Sequence, residues 1–210
     1  MFERELIGSA LFVFWGSLAE TPLLRGLTLV LAMLCSDARV NPVLSLLTAS
    51  SASQLLVAIF AQIIGSCLGA WAVRAMLGPG VACFDSALVG AAKAFVAELV
   101  GTVTMGAAFV TAGPVGAGAA LAIVAQGLSR ITGAALNPAQ YLASLVAGHC
   151  DDGAVLRAGA YLGGQLGGAF AMLVFVTIAE AAPRTDTHPR QHQQRSRSLQ
   201  WPYSTEGLSI

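Results

Sequence analysis

Two stretches decide the architecture of this chain, Ile131-Thr-Gly-Ala-Ala-Leu-Asn-Pro-Ala-Gln140 and Ser36-Asp-Ala-Arg-Val-Asn-Pro-Val-Leu-Ser45. Each sets asparagine directly before proline, at Asn41-Pro42 and Asn137-Pro138, and an apolar run follows. Asparagine is a favoured helix N-cap and proline a favoured first helical residue, so both dipeptides predict helix starts. The predicted helices, 42–49 and 138–147, are apolar but too short to cross a bilayer, because ten helical residues rise only about 15 Å. We read them as re-entrant half-helices. Irregular backbone survives at membrane depth only where protein or a water-filled cavity surrounds it, so two such segments imply a polar interior.

Around them lie six apolar stretches, roughly 3–19, 22–36, 54–77, 91–112, 114–131 and 154–180, most of them near the 17–25 residues that cross a bilayer. The second is the weakest, with a clean apolar run only over 27–35 and Arg25 at its start. The 210 residues are 56% hydrophobic and 10% charged, and the mean hydropathy is +0.72. These values lie outside the soluble range and make a lipid bilayer the expected solvent. The expected fold is an all-α membrane protein of six transmembrane helices plus two half-helices. Residues 1–180 form its membrane domain, and 181–210, rich in Pro, Gln, Arg, Ser and His, a hydrophilic tail too polar to fold alone. The tail arginines Arg184, Arg190, Arg195 and Arg197 favour the cytoplasmic side, and six spans then put the N-terminus there too. Glu3, Arg4 and Glu5 replace the basic start of a signal peptide, so the first stretch reads as a retained span.

The formal net charge is zero and the basic residues outside the tail are scattered, which excludes a nucleic-acid groove. Four cysteines and three histidines show no metal-ligand spacing, so no metal or other cofactor is expected. No nucleophile, base and acid share a pocket, and an enzyme is not expected. Cys83 and Cys150 fall on one predicted outer side, where a disulfide is conceivable; we read both as unpaired small apolar residues.

The halves of the chain match. Glu5-Leu-Ile-Gly-Ser pairs with Glu98-Leu-Val-Gly-Thr at an offset of 93, and Asn41-Pro-Val with Asn137-Pro-Ala at 96. Gly65, Leu68 and Gly69 pair with Gly163, Leu166 and Gly167 at 98. Ordered matches at a nearly constant offset indicate duplication, into repeats of about 1–80 and 91–180. Three spans per repeat is an odd number of crossings, so the second copy enters from the opposite face, and such inverted repeats place their site at the midplane. There the capping asparagines would leave their side-chain NH₂ groups free to face a pathway, beside the positive ends of the half-helix dipoles. Donors of this kind accept neutral hydrogen-bonding solutes, and the dipoles repel protons and cations.

At this point the sequence resembles the aquaporin and glycerol-facilitator superfamily over residues 1–180. The stretch 131–140 looks like the family signature TGxxxNPAR, and 36–45 is similar to SGAHxNPAVT, with Arg39 in place of a histidine and Val43 in place of the first alanine. The resemblance implies that Asn41 and Asn137 orient solutes, and that Glu5, Glu98 and Gln62 brace the half-helix loops. It implies an outer constriction at Ala125, Ala134 and Gln140, with Gln140 standing where the family has an arginine. The chain is about four residues short before Asn41, and one alignment puts Arg25 at the fourth constriction position. After Gln140 comes Tyr141, which marks neither water nor glycerol channels. The resemblance further implies a homotetramer conducting water and small neutral solutes such as glycerol or urea, and the small mouth residues lean towards glycerol-sized ones. Its rivals are a non-conducting structural protein that kept the fold, and a coupled secondary transporter built on Glu98.

Overall fold

Seven helices appear in the computed structural model, which describes residues 1–78, 83–84, 90–147, 150 and 152–181, without the side chains of 152, 154 and 180. They are α1 (Phe2–Leu18), α2 (Pro22–Ser36), α3 (Pro42–Thr48), α4 (Ala52–Leu77), α5 (Ala91–Thr132), α6 (Pro138–Ala147) and α7 (Asp152–Ala181), with no strand among the described residues. Met1–Val176 form one compact unit. The tail expected from 181 onward lies, past Ala181, outside the described residues.

Local chemistry sets the boundaries. Thr21 caps α2, its hydroxyl accepting from Leu24 N at 3.3 Å, with Pro22 at the first helical position. Asn41 caps α3, accepting from Val43 N at 2.9 Å with Pro42 next, and Ser51 caps α4 in the same way. Such caps satisfy amide donors that the helix itself leaves orphaned. α5 ends on Gly133 at φ 71°, a left-handed conformation that costs glycine nothing.

The two predicted spans 91–112 and 114–131 are the two arms of α5. Ala112 and Gly113 have non-helical dihedrals and Pro114 follows. In a straight helix Ala108 and Gly116 would be about 12 Å apart; here the Gly116 Cα lies against the Ala108 carbonyl, so the chain doubles back at Gly113. Three described helical stretches are long and apolar enough to cross a membrane, Ala52–Leu77, Ala91–Thr132 and Val155–Ala179, and Pro22–Ser36 is a shorter apolar helix.

The distribution of polarity suits a bilayer. Leu23, Leu31, Leu56, Phe60, Ile123, Leu156, Phe170 and Phe175 are exposed, whereas Glu5, Asn41, Gln62, Glu98, Asn137, Gln140 and Gln165 are buried. An exposed apolar surface this extensive is a lipid-facing surface. Apolar contact gives no net drive between helices in lipid, so close backbone approach takes over. α1 packs on α4 and α2 on α5. Gly65 of α4 lies against the Leu6 carbonyl, and Gly168 of α7 against the Leu99 carbonyl.

That pair corrects the repeat register. Leu6 and Leu99 are equivalent at the offset of 93, so Gly65 corresponds to Gly168, and Gln62 to Gln165, at an offset of 103. The sequence match of Gly65 to Gly163 is five positions out. α4 carries glycines at a four-residue spacing and α7 at three- and four-residue spacings, and a string comparison cannot tell which of them faces a carbonyl.

A β-carbon at position 65 would collide with the Leu6 backbone, while Gly127 has open space around it. Gly65→Ala should therefore cost about 1–3 kcal/mol of stability, measured as a lowered midpoint of thermal unfolding in detergent. Gly127→Ala should leave the midpoint unchanged or slightly raised.

Candidate functional site

The Asn-Pro helix starts meet. Asn41 uses its Oδ1 to cap α3, and its Nδ2 donates to the Leu136 carbonyl at 3.0 Å. Asn137 caps α6 through Oδ1, accepting from Ala139 N at 3.0 Å and Gln140 N at 3.3 Å, and its Nδ2 donates to the Val40 carbonyl at 2.8 Å. Each asparagine thus grips the carbonyl of the residue preceding the other, and both are buried. The side-chain NH₂ groups are not wholly free, as the sequence led us to expect. One N–H of each ties the two helix starts together, and each amide carries a second N–H beyond that bond.

The crossing forces unusual backbone. Val40 and Leu136 both have positive φ, 53° and 49°, a region β-branched and bulky side chains avoid at a cost of about 1–3 kcal/mol each. A buried carboxylate holds each strained peptide. Glu5 of α1 accepts from Arg39 N at 3.0 Å and Val40 N at 3.0 Å, and from Gln62 Nε2 at 2.8 Å. Glu98 of α5 accepts from Ala135 N at 3.1 Å and Leu136 N at 2.8 Å, and from Gln165 Nε2 at 2.7 Å. Gln62 also donates to Ser45 Oγ of α3 at 2.7 Å. Gln165 was missed in the sequence because the glycine register pointed five residues away.

Arg25 lies at the other end of the second loop. Its Nη1 donates to the Gly133 carbonyl at 2.7 Å, its guanidinium carbon sits 4.9 Å from the centroid of the Phe84 ring, and its Nη2 is shielded without a partner. Ala134 follows Gly133 and is fully buried, in one cluster with Ala125. Gln140, in the first turn of α6, is 3% exposed and its Oε1 has no hydrogen-bond partner. The fold therefore brings Arg25 to the loop bearing Ala134, and leaves a donor on Arg25 and an acceptor on Gln140 unfilled. Arg39 lines a small cavity with Met1, Ser45, Thr48, Gln54 and Ala58, and its Nε donates to Thr48 Oγ1 at 3.1 Å.

Cys83 and Cys150 are joined in a disulfide, with Cα atoms 5.6 Å apart. This corrects the expectation that both are unpaired. The half-cystines are 67 residues apart and share no spacing motif, so the pairing appears only when the chain before α5 is seen beside the end of α6. Cys35 and Cys67 are free. Among the described residues no group of His, Cys, Asp or Glu is arranged to hold a metal.

No family model matches the chain, and no curated protein does either. Among solved structures it is similar to the aquaglyceroporin from Plasmodium falciparum, at a TM-score of 0.62 and 18% identity, over 86% of this chain and 98% of that one. The protein is an integral membrane protein, and its fold is aquaporin-like. The low identity makes it a divergent example of that fold.

Glu98→Gln and Glu5→Gln each put an NH₂ donor where peptide N–H groups need an acceptor. Each should lower stability by about 1–3 kcal/mol, read from thermal unfolding in detergent. A second expectation is chemical: alkylation of the denatured, unreduced chain should modify two cysteines, and alkylation after reduction four.

Proposed function

We propose that the chain is a membrane channel for passive diffusion of water and small uncharged solutes such as glycerol and urea. The observation that carries this is the reciprocal Asn41–Asn137 linkage, which sets two helix N-termini and two spare amide N–H donors face to face inside a membrane protein. No reaction is needed for such a site to work. A solute oxygen crossing it would accept from the asparagines and so turn its own hydrogens away from the partly positive helix ends.

In this reading α1, α2, α4, the two arms of α5, and α7 are six spans, and α3 and α6, starting at Pro42 and Pro138, are half-helices entering from opposite faces of an inverted repeat. Glu5, Glu98 and Gln62 brace the loops. Ala125, Ala134, Gln140 and Arg25 form the outer constriction, Arg25 supplying from α2 the cation that Gln140 lacks. The chain assembles as a homotetramer with both termini cytoplasmic and the hydrophilic tail in solvent. The solved neighbour is an aquaglyceroporin, which accords with the lean towards glycerol-sized solutes. A coupled transporter would need a free titratable group in the pathway, yet both Glu98 oxygens are occupied by peptide and amide donors.

The test is stopped-flow light scattering of proteoliposomes after osmotic steps in sucrose and in glycerol, against empty liposomes. We expect faster water shrinkage and faster glycerol re-swelling, both reduced at least tenfold by Asn137→Asp, and a raised cation or proton leak in Arg25→Ala. Rates equal to those of empty liposomes, with folded inserted protein, would replace the channel by a non-conducting structural protein. An Arg25→Ala channel with unchanged selectivity and leak would remove Arg25 from the constriction.

A further inference from the structure

Phe84 stands in the connection between α4 and α5, outside every helix, yet it is only 8% exposed. It packs in one buried cluster with Ala94, Ala135, Tyr141 and Tyr161. Its ring edge lies 3.1 Å from where a β-carbon on Gly133 would stand, so the left-handed glycine both turns the chain and makes room for the ring. The Arg25 guanidinium sits over the ring face while donating to Gly133, so the two side chains meet on one stretch of backbone. A cation over an aromatic face is held by the ring quadrupole, more strongly when water is excluded. The neighbour of Phe84 in the chain, Cys83, is covalently tied to Cys150 just beyond α6. The disulfide thus fixes the backbone of Phe84 from one side, and Arg25 and Gly133 seat its ring from the other.

We infer that Phe84, positioned by the Cys83–Cys150 disulfide, is a specificity-determining wall of the outer mouth, where it narrows the opening and aims Arg25 at entering solutes. The inference rests on the channel reading above. The motif residues Ala125 and Ala134 are small; the ring supplies bulk from a connecting segment no motif marks. The unpartnered Arg25 Nη2 and Gln140 Oε1 supply one donor and one acceptor, a pair that suits small polyols and amides able to fill both. A longer polyol has to pass the ring, so Phe84 sets the upper size.

Proteoliposomes of the full chain give the test, with permeabilities to water, glycerol and the five-carbon polyol xylitol. Phe84→Ala should raise the xylitol-to-glycerol ratio at least threefold, and Phe84→Tyr should keep the wild-type ratio. Treating wild type with a dithiol delivers two electrons and two protons, leaving two cysteine thiols and the oxidised cyclic reductant; it should raise the ratio as Cys83→Ser with Cys150→Ser does. The dithiol should not change that double variant further. A conducting Phe84→Ala channel with an unchanged ratio overturns the inference, and so does a ratio insensitive to breaking the disulfide. To separate this from a failure of the channel reading, the Ala134→Cys side chain is labelled from outside by a small thiol reagent, with Cys35→Ser and Cys67→Ser in the background. Labelling at least threefold faster with Phe84→Ala supports the wall even in a chain that conducts nothing; an unchanged rate overturns it.

Discussion

The structure depends on two hydrogen bonds that cross at the centre of the molecule, from Asn41 to the Leu136 carbonyl and from Asn137 to the Val40 carbonyl. Each asparagine does two jobs with one side chain. Its oxygen starts a short helix, and its nitrogen fixes where the other short helix starts. Neither could be replaced by another capping residue: serine and threonine lack an N–H₂ and aspartate lacks any donor. Proline at the next position adds the fixed dihedral and takes away a peptide N–H that would have had no partner. The dipeptide is thus demanded by geometry at both places, which is why it could be read at once.

The crossing is possible only because Val40 and Leu136 accept a left-handed backbone, and that strain has to be held from outside the loops. Glu5 and Glu98 hold it. A carboxylate inside a membrane protein is costly unless its lone pairs are filled, and here the donors are the very peptide groups the strain exposes. Gln62 and Gln165 complete each set, and their Oε1 atoms are left without hydrogen-bond partners. The glycines at 65 and 168 then matter for a reason beyond packing. By letting α4 and α7 touch the backbones of α1 and α5, they bring each glutamine close enough to reach its glutamate.

Much of this was legible in the sequence, and what was not follows a pattern. Helix starts, helix positions within a few residues, and the pairing of Glu5 with Glu98 rest on local chemistry or on a repeat of the same letters, and both survive in a string. The partner of Glu98 on α7 did not, because glycine spacing repeats every three or four residues and admits several registers. Cys83 and Cys150 were legible only as two separate residues. Phe84 had no signal at all, since an aromatic in a connecting segment reads as incidental until its neighbours are known. Arg25 was visible as an oddity at the head of a short span, and only the fold shows that it reaches Gly133.

The two ends of the molecule show how a duplicated architecture acquires a direction. At one end Arg39 lies in the first loop itself, its peptide N–H on Glu5 and its Nε on Thr48 of the half-helix that loop begins. At the other end the equivalent loop carries no arginine, and the cation comes instead from α2, across to Gly133. Arg39 is thus built into its own repeat, while Arg25 belongs to the first repeat and serves the loop of the second. Duplication supplies the asparagines, glutamates and glutamines in pairs, because both copies must solve the same strain. The cations are free of that constraint, since neither holds a helix start in place. Divergence between the halves is therefore expected to gather at the two ends and to spare the centre.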